Sequence, residues 1–347
     1  MGINGLSQLI QREAPSAIRK TGLDDYRGKT MALDASLAIF QVVMAKAHFA
    51  SFHSLNLSGE FVGHLTGILG RTLWLLEASI TPVFVFDGAP PALKELTIRQ
   101  RTTGREKAGN RLQTLLKAPG TPDPKVVKTL KAQSTRLSGA YFEECFEMLR
   151  LCGVPVIRAP SEAEAQCAEL ARGKLVYAAA TEDMDCLTFG TPVLVRYLNS
   201  GHKGKDNPMM EYRLKDVLKG LHLTQSQFND LCILLGCDYC GRIHGIGPIA
   251  AYKGIRQHKT LERFMKHLDP EKYFVTPEFG FYDEARKLFV KPDVIPAKKL
   301  GHLKAVPPDI PKLERWLIKK GVHNVSDIGK ATARLDKAFQ KMTLHHL

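Results

Sequence analysis

Apolar positions along the chain follow two rhythms. Three short continuous runs, "KTMALDAS", "TPVFVFDG" and "LVYAAATEDMD", have the length and composition of strands buried on both faces, as in a parallel sheet. Each run ends on acid: Asp34, Asp87, and then Asp183 with Asp185. Between them the spacing turns helical, in "EFVGHLTGILGRTLWLLEAS" before the second run and "SEAEAQCAELAR" before the third. This alternation predicts an α/β fold, a helix-flanked and mostly parallel central sheet. Ligands of such sheets bind outside the carboxyl ends of the strands, which is where these aspartates fall.

One segment breaks the rhythm. From Arg99 to Tyr141 the chain is basic, lacks strand patterning, and reads as two helices interrupted at "APGTPDP", an insertion arching over the sheet edge. Beyond Asp238 it is helical and basic, with "GRIHGIGPIAAYKGI" as a tight glycine turn between helices. The organisation expected is one domain over 1–339. It divides into an N-terminal region (1–104), the arch (99–141), an internal region (142–260) with the glycine turn at 236–256, and a C-terminal helical region (261–339) before a tail (340–347). There is no repeat at solenoid periods.

Composition sharpens the partner more than the fold. The 347 residues are 44% hydrophobic and 24% charged, ordinary for a globular chain, and 49 Lys+Arg against 35 Asp+Glu leave a net charge of +14. A surplus of that size favours a polyanion, because cationic side chains release counterions from nucleic acid. No apolar run reaches membrane-spanning length and "MGINGLSQLIQREAP" lacks the pattern of a signal peptide, so the expectation is a soluble intracellular protein. "MGINGL" departs from a myristoylation signal at Leu6. Seven scattered cysteines fit reduced core thiols; Cys237 and Cys240 have CxxC spacing, but no second pair or histidine stands at zinc-finger distance.

Each acid has a plain structural reading. Asp34 before "ASLAIFQ" suits a helix cap, and Ser161 with Glu164 forms the S-x-x-E of a capping box. Caps explain neither the repetition at strand ends nor the two close pairs, Glu162 with Glu164 and Asp183 with Asp185. Asp238 in "LLGCDYCG" adds a seventh carboxylate. Oxygen ligands without a His or Cys cluster point to hard cations, Mg²⁺ or Mn²⁺. Two such ions ~4 Å apart can activate a water and stabilise the leaving oxygen of a phosphodiester.

The stretches "MGINGL", "LDASLAIFQ", "FVFDGAPPALK", "APSEAEAQCA", "YAAATEDMDCLTFG", "LCILLGCDYC" and "GIGPIAA" occur in the order of the flap endonucleases, structure-specific 5′-nucleases of the XPG/Rad2-like superfamily, and the resemblance runs from the first residue to about Phe339. It implies a PIN-like 5′-nuclease fold with a helical arch and a helix–two-turn–helix, acting on 5′ flaps and as a 5′-3′ exonuclease on nicked or gapped DNA. It also implies a role in replication and repair. All seven metal positions of the family are filled: Asp34, Asp87, Glu162, Glu164, Asp183, Asp185 and Asp238. The resemblance places Lys94 and Arg101 at the scissile phosphate, where the alternative is a solvated cationic helix face.

By the same resemblance the DNA contacts are Gly2, Phe40, Arg71, Arg105, Gly245, Gly247 and Lys253, with K⁺ held at Arg242, Ile243 and Ile246. Phe40 stands where the family commonly has Tyr and reads equally as a core aromatic; Ile249 stands where it usually has a basic residue. "FASFHSL" falls at the family's wedge and matches it poorly. The implied location is the nucleus, with mitochondrion or nucleolus as further sites, and the implied state is a monomer. A sliding-clamp partner follows from the family, although "ATARLDKAFQKMTLHHL" lacks the clamp motif. The alternatives are a related exonuclease or Holliday-junction resolvase, or a catalytically silent DNA-binding module.

Overall fold

The computed structural model describes residues 3–48, 60–198, 208–322 and 325–344. Its sheet comprises β1 (Ile18–Thr21), β2 (Thr30–Asp34), β3 (Thr81–Phe86), β4 (Val156–Arg158), β5 (Ala178–Ala180), β6 (Val193–Arg196) and β7 (Met209–Arg213), in the order β1-β7-β6-β5-β2-β3-β4. The five strands from β6 to β4 are parallel, while β7 runs antiparallel to both β6 and β1. The predicted mostly parallel sheet is present. The four strands that patterning missed, β1, β4, β6 and β7, have three to five residues and some exposed or half-buried positions, too short to carry a run.

The helices in chain order are α1 (Leu6–Glu13), α2 (Ala35–His48), α3 (Gly63–Glu77), α4 (Glu95–Lys117), α5 (Pro124–Ser134), α6 (Gly139–Leu151), α7 (Ala163–Arg172), α8 (Leu214–Leu221), α9 (Gln225–Leu235), α10 (Pro248–His258), α11 (Leu261–Met265), α12 (Tyr282–Val290), α13 (Ile310–Lys319) and α14 (Val325–Leu344). They bury the two faces of the sheet separately, as alternation along each strand requires. Ala32, Val83, Val85 and Ala179 enter one core with α1 and α7 to α12; Met31, Leu33, Phe84, Phe86, Ala178 and Ala180 enter the other with α2, α3, α6, α13 and α14. No helix among the described residues is long and apolar enough to cross a membrane.

The arch belongs to neither core. Its helices α4 and α5 pack on each other, each burying a single residue, Ala108 and Leu130. The break falls where expected, with Asp123 capping α5 through Lys125 N at 2.8 Å. Its first helix starts earlier than the sequence suggested, at Glu95, entered through a 3₁₀ turn that ends on Lys94. The glycine-turn region also differs from the expected plain helix–turn–helix. Ile243–His244 (β8) pairs antiparallel with Phe274–Val275 (β9), a two-residue ladder too small to show in the pattern, before the chain reverses at Gly245 with φ 91°.

The ends of β3 and β4 are held unusually close. Gly88 N donates to Ser161 O at 2.7 Å, and a Cβ at Gly88 would stand 2.1 Å from the carbonyl oxygen of Ala159. Gly88→Ala therefore has to push apart the two loops that carry Asp87 and Glu162. It should lower stability by about 1–3 kcal/mol through overpacking, read as a fall in the thermal midpoint; an unchanged midpoint would show that this approach is not a constraint.

Candidate functional site

Four adjacent strands, β5, β2, β3 and β4, deliver acid to one end of the sheet. Asp34 is the last residue of β2, and its Oδ1 accepts from Leu37 N at 2.9 Å, so it caps α2 while facing the other carboxylates. Asp87 follows β3 and accepts from Ala163 N at 2.8 Å. Glu162, not Ser161, is the N-cap of α7, so the plain capping-box reading of Ser161 and Glu164 does not describe this helix start, and its first amide is satisfied from another strand. Glu164 lies in the same first turn. β5 stops at Ala180, short of the acids, which sit on a 3₁₀ turn where Asp183 Oδ1 accepts from Asp185 N at 3.0 Å. Asp238 follows α9 across Gly236, whose φ of 98° turns the chain back towards the sheet. Glu182, between the two clusters in sequence, turns away to Tyr197 N at 2.8 Å and Arg196 at 3.7 Å.

Gathering these groups is electrostatically unfavourable. Burial first, then the neighbouring Asp87, pushes the Asp34 carboxyl up to about 8. Burial and the surrounding acids, Asp34 and Asp183 for Glu164 and Asp183 and Asp238 for Asp185, drive those two carboxyls well above the usual range. Burial raises Glu162 too, but Lys94 opposes the shift. Asp185 Oδ1 is buried with no hydrogen-bond partner. Among the described residues, the cations paired with this cluster come from the foot of the arch. Lys94 donates to Glu162 and lies 3.5 Å from Asp238, while Arg101 Nη2 donates to both Asp238 oxygens at 2.7 and 2.9 Å. Burial works against the Lys94 ammonium, yet Glu162, Glu164 and Asp238 hold its proton more tightly than in water.

An all-carboxylate donor set with an orphaned buried oxygen fits a hard divalent cation. Among the described residues no three His, Cys, Asp or Glu side chains already enclose an ion-sized space. Mg²⁺ does not need such a cage, since it binds through one or two carboxylates and keeps several waters. Two further groups serve the cluster without having been anticipated. The buried Tyr239 hydroxyl donates to Glu162 Oε2 at 3.5 Å, and Thr97 Oγ1 donates to the Asp238 carbonyl at 2.9 Å. Thr97 had a signal, three residues after Lys94 and four before Arg101 on one helix face; Tyr239 had only its place beside Asp238.

The remaining predicted residues spread outward. Arg105 is exposed on α4, Phe40 is half-buried on α2, and Lys253 is exposed on α10. Arg71 does not join the acids: it donates to Ala38 O and Gln41 Oε1, both at 3.3 Å, and burial lowers its guanidinium to about 10 against the pull of Glu182. Arg242, Ile243, Gly245 and Ile246 line one cavity of about 400 Å³ with Asn4 and Gly5, and Gly247 caps α10. Gly2 and "FASFHSL" lie outside the described residues.

Two family profiles match the chain, the XPG N-terminal domain over residues 1–108 and the XPG I-region over residues 153–238. The chain is 39% identical to a flap endonuclease 1 of Trypanosoma cruzi (strain CL Brener) over 346 residues, 99% of this chain and 86% of the relative. It is 40% identical to a flap endonuclease 1 of Chlamydomonas reinhardtii over 335 residues, 96% of this chain and 83% of the relative. Among solved structures, flap endonuclease-1 from Methanococcus jannaschii superposes with a TM-score of 0.70 at 27% identity, covering 93% of this chain and 96% of its own. The catalytic core of Rad2 in complex with DNA substrate superposes with a TM-score of 0.71 at 26% identity, covering 96% of this chain and all of its own.

The raised carboxyls set a pH dependence. Asp34 keeps its proton to about pH 8 when folded but only to about 3.8 when unfolded, so between those values the folded chain binds more protons and stability falls as pH rises. With divalent ions chelated, the melting midpoint should therefore decline over that window, and Asp34→Asn should flatten the decline. Added Mg²⁺ should raise the midpoint more at the alkaline end. A midpoint that climbs across the window would contradict the site's charge balance.

Proposed function

The chain belongs to the flap endonuclease family, and we propose that it hydrolyses phosphodiester bonds of DNA at 5′ flaps, with 5′-3′ exonuclease action at nicks and gaps. The observation that carries this reading is the convergence of six carboxylates from the ends of adjacent strands, and Asp238 from the turn after α9, with Lys94 and Arg101 from the foot of the arch. Mg²⁺, or Mn²⁺ in its place, supplies when bound the activation of water and the stabilisation of the leaving oxygen. Asp34, Asp87, Glu162, Glu164, Asp183, Asp185 and Asp238 would hold it.

The chain's own cations do the rest. Lys94 neutralises Glu162 and Arg101 neutralises Asp238; the same two cations, at the foot of the arch beside the acids, would stabilise the charge that builds on the scissile phosphate. Phe40 offers a face on which a terminal base can stack. The products are a 5′-phosphate and a 3′-hydroxyl. Duplex lies along α10, where Lys253 and Arg256 are exposed and Gly245 and Gly247 bring backbone near the phosphates. K⁺ on Arg242, Ile243 and Ile246 belongs to the same reading, supported by their shared cavity. Action as a monomer in nuclear replication and repair, with a sliding clamp as partner, is the setting the family suggests.

Asp183→Ala should abolish flap cleavage while DNA affinity and fold persist, since Asp183 supports no element beyond its own 3₁₀ turn. Single-turnover cleavage and thermal melting of the purified variant give the answer. Near-normal cleavage would remove Asp183 from the metal set.

The arch, whose two helices pack on each other and bury one residue apiece, should admit a single strand but not a duplex. A bulky group on the flap's 5′ end should then block cleavage when attached before enzyme is added. It should not when attached after binding in Ca²⁺ and before Mg²⁺. Cleavage indifferent to the order of addition would exclude threading and favour a junction-resolving activity.

A further inference from the structure

Two cysteines bracket one member of the acidic cluster. Cys237 and Cys240 flank Asp238 and Tyr239, and their sulfurs lie 3.6 Å apart. The described chain has no disulfide, and the other five cysteines, Cys145, Cys152, Cys167, Cys186 and Cys232, are buried. Cys237 is buried as well, but Cys240 is half-exposed, and both line a cavity of about 440 Å³ together with Thr97, Arg101, Asp238 and Arg242. The pair therefore differs from every other thiol in having both a partner in contact and a path to solvent.

We propose that Cys237 and Cys240 form a reversible disulfide that switches off the site through Asp238. The oxidant is hydrogen peroxide. Cys240, the more exposed sulfur, attacks the peroxide and breaks its O–O bond, giving a sulfenic acid and one water; Cys237 sulfur then displaces that hydroxyl as a second water, and the S–S bond forms. Two thiols lose two protons and two electrons, and one hydrogen peroxide takes them up to become two waters. Exchange with a small dithiol returns both cysteines to thiols.

The consequence follows from what Asp238 holds. Closing sulfurs from 3.6 Å to a bond of about 2 Å tightens the two-residue loop between them. Asp238 sits in that loop with its side chain on Arg101 and Lys94 and its carbonyl on Thr97 Oγ1, so contraction moves a metal position and the anchor of the arch together. A misplacement of about an ångström at a reacting centre is enough to cost roughly 10²-fold in rate. In an intracellular compartment such a bond is transient and serves as a sensor rather than a staple.

The loss of activity rests on the nuclease reading, whereas the bond itself does not, and the test separates them. The full chain is treated with hydrogen peroxide and its peptides are mapped by mass. The peptide containing residues 237 and 240 should lose the mass of two hydrogens and cease to react with maleimide, and flap cleavage in Mg²⁺ should fall on the order of 10²-fold. Dithiothreitol should restore both. Cys240→Ser should cleave normally and keep its rate in peroxide; Cys237→Ser should show the same protection, as a second variant should the first fold poorly. An unmodified peptide, or a disulfide that leaves cleavage unchanged, or an equal loss of rate in Cys240→Ser, would overturn the proposal. If the reduced protein cleaves no flap at all, the nuclease reading fails and the mass map still decides whether the bond forms.

Discussion

The repulsion among carboxylates at one end of the sheet is the constraint to which the rest of this structure answers. Asp34, Glu164 and Asp185 are all driven towards their neutral forms by burial and by one another. Nothing in the hydrophobic cores requires acids there; Leu33, next to Asp34, and Ala180, the last residue of β5, show that the same strand ends are otherwise apolar. A fold that pays this energy in its metal-free state gains a site whose most stable occupant is a dense positive charge.

That deficit also explains how the arch is attached. With one buried residue in each of its two helices, the arch has almost no apolar hold on the body of the protein. Its attachment is polar, through Lys94 on Glu162 and Asp238, Arg101 on Asp238, and Thr97 on the Asp238 carbonyl. Charge placed in the acidic cluster therefore competes with the bonds that hold the arch down. Ligand binding and arch position become linked without a dedicated hinge, because both draw on the same carboxylates.

The sequence made the centre of this arrangement legible and its margins obscure, for physical reasons. The runs of β2 and β3 are buried on both faces, so their continuous apolar pattern and terminal aspartates could be read directly. β4, only Val156–Arg158 with an exposed end, left no run, although it positions Glu162. The local S-x-x-E pattern at Ser161 could not show that α7 starts one residue later, with Asp87 of the neighbouring strand reaching its first amide. The roles of Lys94 and Arg101 came from resemblance rather than periodicity, since a seven-residue spacing on a basic helix describes a solvated face equally well. What no spacing could show is that both would settle on Asp238, more than 130 residues away in the chain.

Asp238 thus occupies a different position from the other six acids. Asp34, Asp87, Glu162, Glu164, Asp183 and Asp185 end or follow strands of the parallel sheet or begin the helix beyond one, where the paired strands fix the backbone that leads to them. Asp238 hangs on a short turn between Gly236 and the β8–β9 ladder, outside the sheet, and is steadied by the arch instead. It is the acid whose place depends most on polar contacts and least on packing. Any change in that turn, whether in its backbone or in the thiols on either side, reaches the metal position and the foot of the arch at once, whereas the same change at Asp34 would be resisted by the whole of β2. Control of the site is therefore most economically exerted at Asp238, which joins the two working parts through Lys94, Arg101 and Thr97 together.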